Sequence, residues 1–260
     1  MSSLAGELAR IAHDAGRLIL KHYAEVSEVR TKADSSPVTK ADEEAEALIL
    51  DRLRTLEPGI PIVAEESVAN GHIPTLGDRF FLVDPLDGTK EFLQKNGEFT
   101  VNIALIERGR PIAGVVTAPA KARAFVGDGK NGAFELAAPE DLPIEIETAQ
   151  SIRARKAPPN GLVAVVSRTH RDTKTEHYLE AYPVASMVAA GSSLKFCLVA
   201  TGEADLYPRH GRTMEWDTAA GQAVLEAAGG SVTTLDGVPL VYGKVERGFD
   251  NPYFVARGLA

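Results

Sequence analysis

The chain has 260 residues, with 28 Lys+Arg against 36 Asp+Glu and a formal net charge of −8. An apolar fraction of 44% excludes a disordered chain, and the acidic balance argues against a nucleic-acid coat or a polybasic membrane anchor, which need clustered Lys and Arg. The single cysteine, Cys197, excludes an intrachain disulfide and any cysteine-built zinc or iron–sulfur site. No run approaches the ~18 consecutive apolar residues of a transmembrane helix. The first ten residues carry charge where a secretory signal has its apolar region, so a cytoplasmic protein is expected.

Residues 4–22 place Leu4, Leu8, Ile11, Ala12, Ala15, Leu18 and Ile19 on one helical stripe. A second helix starts near Thr39, with Ala41, Ala45, Leu48, Ile49, Leu53 and Leu56 on its apolar face, and stops at Glu57-Pro58-Gly59. Strands are then predicted over Ile60–Ala64, Phe80–Val83, Phe99–Glu107, Ile112–Thr117 and Ala122–Val126. A meander with few intervening helices implies a largely antiparallel sheet, covered by the two N-terminal helices. The Pro- and charge-rich stretch from Ala138 to Gly161 marks the passage between two parts, 1–150 and 151–260. Beyond it, short strands (Leu162–Val166, Val184–Ser186, Ala204–Tyr207, Val232–Thr233, Phe254–Ala256) alternate with helices over Arg171–Leu179, Ser193–Thr201 and Thr218–Ala228, as in an α/β layer.

The segment Asp84-Pro85-Leu86-Asp87-Gly88-Thr89 follows the apolar strand Phe80–Val83. Pro85 biases Asp84 toward an extended conformation, and Gly88 permits a tight turn. A helix starting near Thr89 would aim free amides at whatever the two aspartates hold. Two carboxylates three residues apart suit magnesium, and an Asp-capped turn explains the fragment equally well. Glu65-Glu66 ends another apolar strand, where alternation sends the two acids to opposite sides; alone, an acidic loop edge explains them better. Asp217, in Glu215-Trp216-Asp217-Thr218, reads well as a helix N-cap. The polar stretch from Thr31 to Asp42 reads as a solvated loop running into a helix cap. Four acidic segments at strand ends or helix starts nevertheless call for a common explanation.

Segment 84–89, with Glu65-Glu66 before it and Trp216-Asp217 after it, resembles the magnesium-dependent, lithium-sensitive inositol monophosphatase superfamily. Thr31-Lys32-x-Asp34-x-Ser36-Pro37-Val38-Thr39, Lys90-Glu91-Phe92, Ser167-Arg168-Thr169-His170, Gly191-Ser192-Ser193-Leu194-Lys195-Phe196 and Leu206-Tyr207-Pro208-Arg209 are similar to its 3′(2′),5′-bisphosphate nucleotidase branch. The matches run in order from the first helix to about residue 230; only the connector from 137 to 160 carries nothing recognisable.

The resemblance implies a layered α/β sugar-phosphatase fold, with an α+β metal-binding part (1–150) and an α/β part (151–260) completing the substrate site. It implies that Glu65, Asp84 and the Leu86 carbonyl hold one magnesium ion, and that Asp84, Asp87 and Asp217 hold a second. Such a pair clamps the attacking and leaving oxygens of a phosphate ester. Four carboxylates against two divalent cations leave the centre formally neutral before phosphate arrives. The nucleophile is then a metal-activated water, with Thr89 and Asp34 as a proton relay and Glu65 beside them; Glu66 and Asp42 compete with Asp34 as the base. Gly88 and Thr89 amides would stabilise the phosphoryl oxygens. Lys195, Arg209, His170 and Ser192 would hold the remainder of a bisphosphate. From the residues alone, Lys195 could equally be solvated, Arg209 paired with Glu215, and His170 a helix cap.

The implied reaction is hydrolysis of adenosine 3′,5′-bisphosphate to AMP and phosphate, a step of sulfur metabolism, with 3′-phosphoadenylyl sulfate as a further substrate. The expected partner is a small phosphorylated nucleotide, with no nucleic acid and no integral membrane segment. The resemblance adds loose association with the cytoplasmic face of the inner membrane as a variant of the cytoplasmic placement. An inositol-1-phosphate or sugar-phosphate phosphatase shares the metal core and lacks the second-phosphate set. A non-catalytic nucleotide-binding regulator would show broken metal ligands, yet every expected acid is present. A haloacid-dehalogenase-type phosphatase needs its nucleophilic Asp two residues before its partner, which Asp84-x-x-Asp87 does not offer.

Overall fold

A computed structural model describes residues 1–24, 29–31, 37–168 and 173–260. The sequence-predicted site residues Asp34 and His170 lie outside them. In chain order the elements are α1 (Ser3–Ala24), β1 (Val29–Thr31), β2 (Pro37–Thr39), α2 (Lys40–Leu56), β3 (Ile62–Ala64), α3 (Glu65–Ala69), β4 (Arg79–Asp87), α4 (Thr89–Leu93), β5 (Thr100–Glu107), β6 (Arg110–Ala118), β7 (Arg123–Asp128), β8 (Gly132–Ala137) and β9 (Gln150–Ile152). They continue as β10 (Leu162–Ser167), α5 (Thr173–Leu179), β11 (Val184–Ala190), α6 (Leu194–Ala200), β12 (Leu206–Arg209), α7 (Glu215–Ala227), β13 (Ser231–Thr234) and β14 (Phe254–Arg257).

The strands from β3 to β9 form one seven-stranded sheet in chain order, parallel at β3–β4 and antiparallel elsewhere, as the predicted meander requires. The five-stranded sheet, ordered β11-β10-β12-β14-β13, is parallel around β10 and antiparallel around β14. Alternation along β4 shows how the layers stack. Phe81 and Val83 point into a core with Leu8, Ala12 and Ile19 of α1 and Ile49 and Leu53 of α2. Phe80 and Leu82 point the other way, into a core with Phe196 of α6 and Ala220 and Val224 of α7. That second core continues onto Val165, Tyr207 and Phe254 of the five-stranded sheet, whose outer face packs Leu162 and Val166 against Leu179 of α5. The order is therefore helices, sheet, helices, sheet, helix. Helix α7 lies in the middle and is buried nearly all round, as a helix between two sheets must be.

Four sequence expectations need correction. The end of the polar stretch from Thr31 to Asp42 is not a solvated loop: Pro37–Thr39 is strand β2, and Val38, Thr39 and Asp42 are buried. Glu65 and Glu66 do not end a strand; they open the short helix α3, because Ala64 is already in an extended N-cap conformation. The stretch read as an irregular connector contributes β9, and β8 before it passed unnoticed because Gly132–Ala137 has a weak alternating pattern. Strand β11 runs four residues beyond the predicted Ser186, since its small residues give no periodic signal.

Helix α7 carries Asp217 and rests directly on β7. A Cβ built on Gly127 would lie 2.4 Å from the backbone of Ala223 and 2.6 Å from Val224 N, so only glycine lets the helix approach this closely. Gly127→Ala must push α7 outward. It is expected to cost about 1–3 kcal/mol in urea denaturation, as overpacking does. Wild-type stability of this variant would contradict the contact.

Candidate metal and phosphate site

The site gathers where β3, β4 and the start of α7 meet. Asp84 continues the face of Phe80 and Leu82 and is buried. In a regular strand Asp87, three residues on, would face the opposite way. The β4–β5 register prevents this: Asp84 pairs with Asn102 and Asp87 with Thr100, so one extra residue bulges at Pro85-Leu86. A bulge re-aims the side chains after it, and here it brings both aspartates to one side. The Leu86 amide donates to Asp84 Oδ1 at 3.0 Å, fixing that carboxylate.

Gly88 then turns the chain with φ +91°, a left-handed conformation open to glycine, and starts α4 at Thr89 as predicted. A Cβ at Gly88 would also lie 2.2 Å from Ser192 Oγ. That hydroxyl lies 2.7 Å from the carbonyl oxygens of both Asp87 and Glu98, tying α4 to the loop before α6.

Glu65, Asp84 and Asp217 each bring a carboxylate oxygen within 4.8 Å of the others. A cation bonded to oxygens at roughly 2.0–2.6 Å fits inside such a triangle. Asp217 is the third residue of α7, not its N-cap; one of its oxygens nonetheless accepts from the Met214 amide at 2.8 Å, so it both caps the helix and joins the cluster. Asp87 borders the cluster, with Oδ2 at 3.4 Å from Asn102 Nδ2 and 3.5 Å from Thr100 Oγ1. Asn102 also donates to Ser193 Oγ at 3.0 Å, and Ser193 to the Asp217 carbonyl at 2.6 Å, linking the ligands of β4 and α7. Sequence reasoning passed over Asn102 and took Ser193 only as part of a motif, without a role. The signal for Asn102 is a lone amide inside the apolar run Val101–Ile106.

Burial pushes the Asp217 carboxyl well above its ordinary value, and the charges of Asp87 and Glu65 push it further. Asp87 is raised by burial too, with the Lys195 ammonium pulling the other way. This concentration of hard oxygen donors with unbalanced negative charge suits a divalent cation. Lys195 is buried rather than solvated, donates to the Ser192 carbonyl at 2.5 Å, and has its pKa pushed down to about 8, chiefly by burial.

Arg209 does not pair with Glu215, whose oxygens take the Gly243 and Lys244 amides and the Lys244 ammonium. Its Nη2 reaches the Arg212 carbonyl at 3.3 Å, and its buried Nε has no hydrogen-bond partner among the described residues. Thr89 Oγ1 lies 3.2 Å from Asp42 Oδ1, and the other Asp42 oxygen accepts from the Thr39 amide at 2.8 Å and hydroxyl at 2.6 Å. A cleft of about 380 Å³ is lined by Glu65, Asp87, Thr89, Lys195, Arg209 and Asp217 among others.

The family model for the inositol monophosphatase family matches residues 2–256. The chain belongs to the inositol monophosphatase family, whose enzymes are metal dependent. Among its relatives, the 3′(2′),5′-bisphosphate nucleotidase CysQ of Escherichia coli O157:H7 is 45% identical over 250 residues, covering 95% of this chain and 97% of the relative. Of solved structures, CysQ from Bacteroides thetaiotaomicron superposes with a TM-score of 0.83 at 36% identity, covering 99% of this chain and 98% of the other. The Thermotoga maritima IMPase superposes at 0.77 with 27% identity over 96% and 89%. Among the described residues no helix is long and apolar enough to cross a membrane.

The raised carboxyls give a signed expectation. An acid whose folded pKa is raised favours the fold while protonated and loses that contribution as pH rises through the raised value. Without a cation, Asp87 and Asp217 therefore oppose folding increasingly as pH climbs, and bound cation removes the opposition. The gain in Tm on saturating with a divalent cation should grow as pH rises from the ordinary aspartate value of about 3.9 through the raised values. A gain that is absent, or constant over that range, would remove these acids from the cation site.

Proposed function

We propose that the protein is a magnesium-dependent 3′(2′),5′-bisphosphate nucleotidase that hydrolyses the 3′-phosphate of adenosine 3′,5′-bisphosphate to AMP and phosphate, with 3′-phosphoadenylyl sulfate as a second substrate. The observation that carries this reading is the pair Lys195 and Arg209 in the same cleft as the acidic cluster. One phosphate needs the metal centre; a second needs cations of its own. Arginine supplies a forked donor for it, and Arg209 lines the cleft with its Nε left without a hydrogen-bond partner among the described residues. Similarity to the named nucleotidases supports the same substrate class. In this reading residues 1–150 supply most of the metal-binding part and residues 151–260 the substrate side. The protein works in the cytoplasm as a small-molecule enzyme, and its single, buried Cys197 suits a reducing compartment.

Glu65, Asp84, Asp87, Asp217 and the Leu86 carbonyl would hold two magnesium ions, which supply Lewis-acid activation of water and charge neutralisation on the phosphate. The chain's own residues manage the proton. Thr89 donates its hydroxyl hydrogen to Asp42, leaving its oxygen lone pairs to accept from the attacking water. As that water attacks phosphorus, its proton passes to Thr89 Oγ1 while the Thr89 proton moves to Asp42; the bond from phosphorus to the ribose 3′-oxygen breaks, and that oxygen takes a proton from solvent to leave as the hydroxyl of AMP. The Thr39 amide and hydroxyl keep Asp42 in place for the transfer. The Gly88 and Thr89 amides would donate to the phosphoryl oxygens, and Ser192 holds the Gly88 turn.

Thr89→Ala and Asp42→Asn should each lower kcat with little change in KM. Because the two act as one relay, the double variant should be little worse than either single. Fully additive losses would separate them and return the base to Glu66 or Asp34.

Lys195→Ala and Arg209→Ala test the substrate. A charge-assisted hydrogen bond is worth about 1.5–3 kcal/mol, so each variant should lose roughly 10- to 150-fold in kcat/KM on the bisphosphate. Activity on 3′-AMP, which lacks the 5′-phosphate, should start low and barely change. Equal losses on both nucleotides, or efficient wild-type turnover of inositol 1-phosphate with none of the bisphosphate, would overturn the proposal.

A further inference from the structure

Helix α2 carries a charge where its periodicity calls for an apolar side chain. Glu46 sits on the buried face beside Ala45 and one turn before Ile49, and it is only 5% exposed. A buried carboxylate without donors costs several kcal/mol, so its partners define its use. All three lie on one short segment. Glu46 Oε2 accepts from the Glu66 amide at 2.8 Å, and Oε1 accepts from the Ser67 amide at 2.8 Å and the Ser67 hydroxyl at 2.6 Å.

These are first-turn amides of α3, which no residue of α3 can satisfy. Ala64, the N-cap, has no side-chain oxygen to do so. Five residues are too few to hold a helix by themselves. Yet the first of them is Glu65, whose carboxylate meets Asp84 and Asp217. The orientation of Glu65 is therefore set by an acid on another helix.

We infer that Glu46 is a positioning residue for the metal centre: by capping α3 from α2 it holds Glu65 in place to bind the cation, without touching the cation itself. This rests on the reading of Glu65 as a metal ligand. The resulting expectation is a weakened metal site rather than a lost reaction, since Thr89, Asp42 and the cations of the cleft stay in place.

The test is titration of the metal-free protein with Mn2+, followed by electron paramagnetic resonance of the free ion and needing no turnover. Glu46→Gln keeps the shape but turns one acceptor into a donor facing an amide. It should raise the Mn2+ dissociation constant about 10- to 100-fold, as loss of an outer partner of a metal ligand typically does. The metal concentration giving half-maximal activity should rise in parallel, with most of kcat recovered at saturating metal. Ser67→Ala keeps the Glu46 charge and removes one bond, and should weaken binding roughly two- to tenfold. It carries the test alone if Glu46→Gln does not fold.

Glu65→Gln separates the two levels. If it weakens Mn2+ binding while Glu46→Gln and Ser67→Ala bind like wild type, the positioning role is overturned and the metal reading stands. If Glu46→Gln weakens binding and Ser67→Ala does not, Glu46 acts through its charge alone, which also overturns positioning. If Glu65→Gln binds Mn2+ like wild type, the metal reading fails and the inference with it.

Discussion

Carboxylates repel one another, and in a partly buried cleft the repulsion is poorly screened. The convergence of Glu65, Asp84 and Asp217, with Asp87 beside them, is therefore unfavourable until positive charge enters it. Much of the structure around it serves to keep those groups together. Sheet β3–β9 and helix α7 are packed into one core, so the acids cannot separate without opening that core. The same unbalanced charge makes the cleft receptive to a cation and, through it, to phosphate, although the chain as a whole is acidic.

Each acid is held by a different local device. Asp84 accepts its own chain's Leu86 amide, Asp217 caps the helix it belongs to, and Asp87 is turned inward by a bulge and steadied by Asn102. Glu65 is held through α3 by Glu46, a residue of another helix. The Asn102–Ser193 link joins β5 to the α6–α7 side of the cleft. Ligands drawn from separate elements thus share hydrogen bonds that restrict their relative movement, the condition for a preorganised centre.

Much of this was legible in the amino-acid order. The apolar stripes of α1 and α2, the antiparallel meander and the later alternation of helix and strand follow from periodicity, because each element buries one face. Asp84, Asp87, Glu65 and Asp217 each had an ordinary local explanation; lying together at strand ends and helix starts they called for a common one, which the family resemblance supplied. Elements with weak periodicity, β8, β9 and α3, were not legible; sheet pairing and a cap from α2 create them. Asn102 and Glu46 were visible only as polar residues in apolar surroundings, with nothing local to say what they hold.

The sequence by itself determined the kinds of chemistry present: hard oxygen donors, no thiolate site, and a Gly88 turn feeding a hydroxyl into the cleft. It also determined which faces are apolar, since side-chain hydropathy is a property of each residue. Only the tertiary structure decided which groups meet. The bulge that brings Asp87 to the side of Asp84 is a matter of register between two strands. The 3.2 Å approach of Thr89 to Asp42, and the reach of Glu46 to α3, depend on how layers far apart in the chain pack. Such distances are set by the filling of the core between the elements, and no local pattern records them.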